Sequence, residues 1–363
     1  MVFFRSVYTL PRIACIVAIL ISLGSATINV APASAVWLPV PLPNIEQNKV
    51  TLRVAHAINP RFSHMTSQQI SILLQEARQV SAEHFGIEID FGTTEQIAIA
   101  DLFAMRPDIA DDELMEWVYD FKTGGGDTDK LVDDLLARLQ RSDSQLEDIY
   151  AFACPHLINP PRGATAEGYA EALTDTLLRR LRVWRVLPAN DKRAIIDETI
   201  FNEWTFWDTL AHGALPYDIV LTNQLVASAE YYGMDVHSAL RGGISVGTTS
   251  YSRDGPLHTY AFLSTFPFSD DYPPIIQLRG GGHYGDDEAA RLAGAYLAHE
   301  IGHVLLHLGH PFNQSACVMN PAQLLDFRSW RKNLDADSCP LGASAEMEPG
   351  AAGLSYNSAW VLP

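Results

Sequence analysis

The stretch from Asp286 to about Leu308 constrains this chain most. Three acids, Asp286, Asp287 and Glu288, open it where a helix N-terminus favours negative charge. Ala293, Leu297, Ile301, Val304 and Leu308 then recur at the 3, 4 spacing of a stripe buried along one side of a long helix. His299 and His303 stand off that stripe. Four of the chain's twelve histidines, His299, His303, His307 and His310, fall within twelve residues. Positions four apart on a helix lie about 40° apart around the axis and about 6 Å along it, so the imidazoles of His299 and His303 reach one tetrahedral metal. Glu300 follows on the rim of the same face. It is placed to meet a metal-associated water without being a ligand, as a general base must.

The rest of the chain predicts a sheet around that helix. Val50 to Ala57 has strand character, Thr66 to His84 has helical spacing with Ser63 as a candidate cap, and Gly86 to Phe91 alternates, which is a β-α-β opening. Asp111 to Gly213 is acidic and rich in Leu and Ala, with breaks at Gly124 to Gly126, Pro155, Pro160, Pro161 and Pro188. It reads as helices over 111–122, 128–140, 144–152, 166–186 and 190–210. Trp184, Trp204 and Trp207, at helical spacing, are expected in the core. Strands return at Tyr217 to Thr222, Gly243 to Tyr251 and Thr259 to Phe266. The loop Gly280-Gly281-Gly282 lacks the Lys and Ser/Thr of a phosphate loop and reads as a flexible entry to the long helix.

Composition sets the partners. With 43 acids against 25 bases the chain has a formal net charge of −18, which argues against nucleic acid as a partner, since a nucleic-acid binder usually carries a basic face. Met1 to Arg12 carries two positive charges, Ile13 to Gly24 is an apolar run too short for a comfortable span, and Ala33-Ser34-Ala35 reads as a cleavage site. The expectation is a signal peptide over 1–35, with Ala26 as a second cut and an uncleaved anchor as the alternative. A Pro-rich tether over 36–48 follows, and then one domain over 49–363. The mature protein is expected to be secreted or periplasmic, with no stable membrane insertion. In that compartment Cys317 and Cys339 are the natural disulfide pair, with Cys154 left as a buried thiol or an intermolecular partner.

His299-Glu300-x-x-His303 with a later His, then Cys317-Val318-Met319-Asn320-Pro321, resembles the zincin metallopeptidases and in particular the metzincins, whose Met-containing turn lies beneath the metal. The Cys-x-Met turn is similar to that of the archaemetzincin branch, although the Cys-rich structural zinc site of that branch is not reproduced. The resemblance covers Ala298 to Pro321. It implies an α+β, zincin-like catalytic domain with a mixed sheet, a long active-site helix and, here, a large helical insertion at about 100–213. It further implies Zn²⁺ held by His299, His303 and His310 with water at the open position, and Glu300 as general base in the hydrolysis of a protein or peptide substrate. Met319 becomes a pedestal, and the strand Thr259 to Phe266 the sheet edge along which substrate aligns. One departure stands out. Leu306 and Gly309 occupy the family's Gly and third-His positions, so His310 comes one residue late, with Gly309 in a left-handed conformation expected to turn it back. His307 and Asp326 are the alternative third ligands. The rival functions are a non-catalytic zinc-binding protein and a secreted interaction module with a degenerate zincin core; His56, His64 and His258 are assigned no role in the site.

Overall fold

The computed structural model describes residues 49–104, 126–141, 146–163, 165–184, 187–193, 195, 203–212, 216–227, 235–250, 260–306 and 308–338. The expected leader and tether lie outside these residues, as do the helix expected over 111–122, His258, His307 and Cys339. The described strands are β1 (Lys49–Leu52), β2 (Val54–Ile58), β3 (Glu88–Phe91), β4 (Glu95–Ala98), β5 (Ile219–Thr222), β6 (Val226–Ala227), β7 (Ile244–Ser245), β8 (Gly247–Ser250) and β9 (Tyr260–Ser264). The helices are α1 (Ser67–Phe85), α2 (Ile99–Ala104), α3 (Thr128–Arg141), α4 (Leu146–Ala153), α5 (Ala166–Trp184), α6 (Glu203–His212), α7 (Val236–Leu240), α8 (Phe266–Ser269), α9 (Pro273–Leu278), α10 (Asp286–Leu306) and α11 (Phe327–Asn333). Among the described residues no helix is long and apolar enough to cross a membrane.

The chain is a mixed α and β structure built on a five-stranded sheet of order β4-β2-β5-β9-β8. The first four strands are parallel, and β8 runs antiparallel to β9. The expected β-α-β opening is present, with β1 and β3 paired in parallel around α1. Both faces of the main sheet are covered, and alternate side chains serve two cores. Val54, Ile219, Leu221, Ala261 and Leu263 face the core that contains α1 and α10. Ala55, Ala57, Val220, Tyr260 and Phe262 face a second core made with Ile99 and Leu102 of α2 and Phe206, Leu210 and Ala211 of α6.

Several expectations are corrected. The strand Thr259 to Phe266 was expected at the sheet edge, but β9 lies inside the sheet and β8 is the edge. The reason is in the residues: Tyr-Ala-Phe-Leu-Ser is buried throughout and serves both cores, whereas Gly-Thr-Thr-Ser tolerates a position with one open side. Thr66, not Ser63, caps α1. Its hydroxyl accepts from the Gln69 N–H while the Gln69 side chain accepts from the Thr66 N–H, a capping box, and Gly86 closes the helix at φ 67°. Of the helix expected over 190–210, the described part is α6 from Glu203 onward, residues 196–202 lying outside the described ones, and its expected start is not helical. Around Pro188, Asn190 and Asp191 the chain instead turns, with Lys192 at φ 65° and Asp191 paired to Arg61 and Arg193. Trp184 is buried as expected and Trp207 packs half-buried against the second core. Gly280 and Gly281 adopt φ of 72° and 91°, so this run makes a tight turn before α10.

Helix α10 is buried on all sides from Leu292 to Leu306, well beyond the single stripe its sequence suggests. It packs most extensively on α1, and the two backbones approach closely at Gly294. A Cβ there would stand 2.2 Å from the Leu73 carbonyl oxygen and 2.8 Å from Glu76 Cβ. Since a backbone carbonyl cannot swing aside, Gly294→Ala is expected to cost about 1–3 kcal/mol by forcing the helices apart. Gly285→Ala meets nothing within 4 Å and is expected to stay within about 0.5 kcal/mol of wild type. Urea midpoints of the two variants check this, and equal midpoints would contradict the close crossing.

Candidate metal centre

His299 and His303 project from the last two turns of α10, and His310 returns from the loop that follows. Their Nε2 atoms form a small triangle: 3.1 Å from His299 to His303, 3.0 Å from His303 to His310 and 3.3 Å from His310 to His299. All three residues are buried, and they are the cluster of potential ligands found among the described residues. The sequence reading of His299, His303 and His310 therefore corresponds to one point in space. Asp326, an alternative third ligand, lies elsewhere and caps α11 by accepting from the Ser329 N–H. Nor does Gly309 use a left-handed backbone. It is absent from the described glycines with positive φ, and the reversal is closed instead by the Leu308 N–H on the Gly302 carbonyl.

The orientation of the rings is set by the backbone. His299 Nδ1 donates to the Val318 carbonyl at 2.8 Å, and His303 Nδ1 donates to the Leu308 carbonyl. A neutral imidazole that donates through Nδ1 carries a bare lone pair on Nε2. The bare nitrogens of His299 and His303 thus face each other at 3.1 Å. Protonation does not relieve them easily, because burial lowers the pKa of His303 to about 4 and those of His299 and His310 well below the ordinary 6.5. Lone pairs converging in a dry interior call for a cation. Zinc–nitrogen bonds of about 2.0–2.1 Å in a tetrahedral site put ligand nitrogens about 3.3 Å apart, which fits the triangle with slight contraction.

The loop after the histidines packs beneath them. Met319 is fully buried, and its sulfur fills the space left by Gly302, where a Cβ would stand 2.3 Å from Sδ and 2.8 Å from Phe85 Cζ. Cys317 is disulfide-bonded, and so is Cys154, which is therefore neither the buried thiol nor the intermolecular partner expected. Arg241 is wholly buried. It donates to the carbonyls of Ala322 at 2.7 Å and Leu324 at 2.6 Å, tying this loop to the segment after α7.

Glu300, expected on a rim, is buried against the edge strand. A Cβ on Gly247 of β8 would stand 2.5 Å from its Oε1, so only glycine leaves the carboxyl its place. Burial pushes the Glu300 pKa well above the ordinary carboxylate range, Glu203 of α6 adds to the shift, Arg241 opposes it, and Asp235 adds again. Glu203, within the expected helical insertion, thus acts electrostatically on the residue beside the clustered histidines. Gly247, Arg241 and His237, which packs on His310, carry no local spacing signal, and the sequence reading missed all three. His56, left without a role, is buried with its pKa lowered to about 4 by burial and then by His64. It lines a separate cleft of about 860 Å³ between α1 and the strands β3 and β4, and none of the clustered histidines reaches that cleft.

Compared with known proteins, the chain matches no family model, no curated protein and no solved structure.

The depressed histidine values predict the acid response of the metal-free protein. Between the unfolded pKa of about 6.5 and the folded value of about 4 for His303, unfolded chains take up protons that the folded site refuses. Stability is therefore present above pH 6.5 and is lost as pH falls toward 4. Glu300, with its raised pKa, contributes with the opposite sign above about pH 4.5, so the slope is best read in a Glu300→Gln background. Urea midpoints in the presence of chelator are expected to fall from pH 7 to pH 5 in that background, and less steeply once His303→Leu is added; identical slopes would contradict the buried neutral cluster.

Proposed function

We propose that this protein is a zinc-dependent endopeptidase of metzincin-like type, acting on protein or peptide substrates after export. One observation carries the reading: three buried Nε2 atoms within 3.0 to 3.3 Å of one another, two of them oriented by backbone carbonyls and adjoining a buried glutamate on the same helix. His299, His303 and His310 would hold the metal, and three imidazoles with no fourth protein ligand among the described residues suit a catalytic zinc better than a closed structural one. Zinc in such a site supplies Lewis acidity and lowers the pKa of water to about 7.

The protein's own groups supply the remainder. Glu300 follows His299 directly and precedes His303 by three residues, so it shares their part of the helix surface. Its raised pKa suits a carboxyl that takes a proton from attacking water and hands it to the leaving amine. The Val318 and Leu308 carbonyls hold two ligand rings in one tautomer, and the buried Met319 supports them from below. Substrate would lie along β8, the sheet edge whose Gly247 touches Glu300, because an extended peptide can add to an unpaired strand edge through main-chain hydrogen bonds.

Metal analysis and digestion of an unfolded protein substrate test this together. About one zinc per chain is expected in wild type and in Glu300→Gln, and little in His303→Ala. Cleavage is expected from wild type, with a loss of roughly 10²–10⁴-fold in Glu300→Gln. Zinc without cleavage that depends on Glu300 would reduce the protein to a metal-binding one, and wild type without metal would remove the centre altogether.

A further inference from the structure

A fourth histidine stands against the cluster. His237 belongs to α7, the residue is 8% exposed, and its ring meets His310 edge to face at a centroid distance of 5.0 Å and an angle of 87°. The three clustered rings stand 4.7, 4.8 and 5.2 Å from one another, so His237 is as near to His310 as the ligands are to each other. Yet it is outside the set of nitrogens that converge within 4.8 Å. Its Nδ1 is buried with no hydrogen-bond partner. A buried polar atom left unpaired is destabilising, so such an atom beside a metal centre calls for a partner that arrives with function.

The short helix that carries this residue is fixed from two sides. Asp235, just before α7, pairs with Arg138 of α3 at 3.4 Å, and Arg180 of α5 donates to the Leu240 carbonyl at its other end. Gly242, at φ 78°, lets the following chain run against Arg180 and Trp184, where a Cβ would stand 2.5 Å from Arg180 Cβ. Arg241 then ties the same segment to the Met319 loop. A side chain held this way is preorganised, as a group that meets a developing charge should be.

We infer that His237 is a further catalytic residue of this centre, a non-ligating imidazole that donates a hydrogen bond to the oxygen of the exogenous ligand, whether water or the scissile carbonyl. The inference rests on the metal-centre reading above and assigns the helical insertion a task, since α3 and α5 hold α7 in place. The rival role is a passive wall for His310.

The test is binding of acetohydroxamate, which ligates through oxygen, to the cobalt(II)-loaded protein, followed by the visible cobalt spectrum. His237→Phe keeps a ring against His310 and removes the N–H, whereas His237→Gln keeps an N–H donor. Both variants are expected to retain about one metal per chain. Acetohydroxamate affinity is expected to fall roughly ten- to hundred-fold in His237→Phe, the range of a hydrogen bond to a charged group, and to recover in part in His237→Gln. Unchanged affinity in His237→Phe would make the residue a wall, and loss of metal from both variants would make it a ligand or a structural support; either overturns the inference while leaving the metal centre standing. If wild type takes up no cobalt, the metal-centre reading itself falls, and this inference with it.

Discussion

Two imidazole lone pairs aimed at each other across 3.1 Å, with a third ring at 3.0 and 3.3 Å, form an arrangement that neutral rings do not adopt without cause. In water they would turn away or take up a proton. Here neither escape is open, because backbone carbonyls hold Nδ1 of His299 and His303 and burial opposes the proton. Much of the structure around the site serves to maintain this tension. Helix α10 is buried on every side from Leu292 onward, Gly294 lets α1 approach it to backbone contact, and Gly302 admits the Met319 sulfur beneath the second histidine. A closely packed interior of this kind transmits positional constraint, so the histidine triangle inherits its precision from the helix packing.

The third ring depends on the loop after α10, and that loop is anchored from several directions. Phe312 meets Phe152 of α4 edge to face at 5.0 Å, the Asn320 side chain donates to the Pro311 carbonyl at 2.8 Å, and Trp330 of α11 donates to the Asn320 carbonyl at 2.7 Å. Arg241 grips the loop further on through two carbonyls. A wholly buried guanidinium is costly unless its N–H groups are satisfied, and those carbonyls, with the Tyr296 hydroxyl at 3.5 Å, provide the partners. Residues between β4 and β5 thus divide their work. Helices α2 and α6 cover the second face of the sheet, while α3, α4 and α5 brace the loop and α7.

The legible part of this protein in its sequence was the part written in helical periodicity. His299, Glu300 and His303 declare their shared surface because a helix repeats every 3.6 residues, and the opening β-α-β unit alternates cleanly from period 2 to 3.6 and back. His310 was reached through spacing to a family pattern, with a left-handed Gly309 that the structure does not use. Gly247, Arg241 and His237 were silent because their roles come from strand order and from packing between elements distant in sequence. The edge strand was misassigned for a related reason. An apolar run such as Tyr260–Ser264 looks like a strand from any position in a sheet, and only burial on both faces marks it as internal.

The late third histidine shows how a spacing departure can be absorbed locally. Helix α10 ends at Leu306, and two bonds gather the next residues: the Leu308 N–H reaches back to the Gly302 carbonyl, and the Leu308 carbonyl accepts from His303 Nδ1. The second bond makes the turn and the orientation of the His303 ring one feature. A chain that reversed differently would release His303 Nδ1 and with it the tautomer that bares Nε2. The extra residue therefore does not push His310 away, since the turn that accommodates it is held by the very ring His310 must meet, and their Nε2 atoms lie 3.0 Å apart. Ligand geometry in such a site follows from where the loop's carbonyls can be satisfied, and the number of residues in between is secondary.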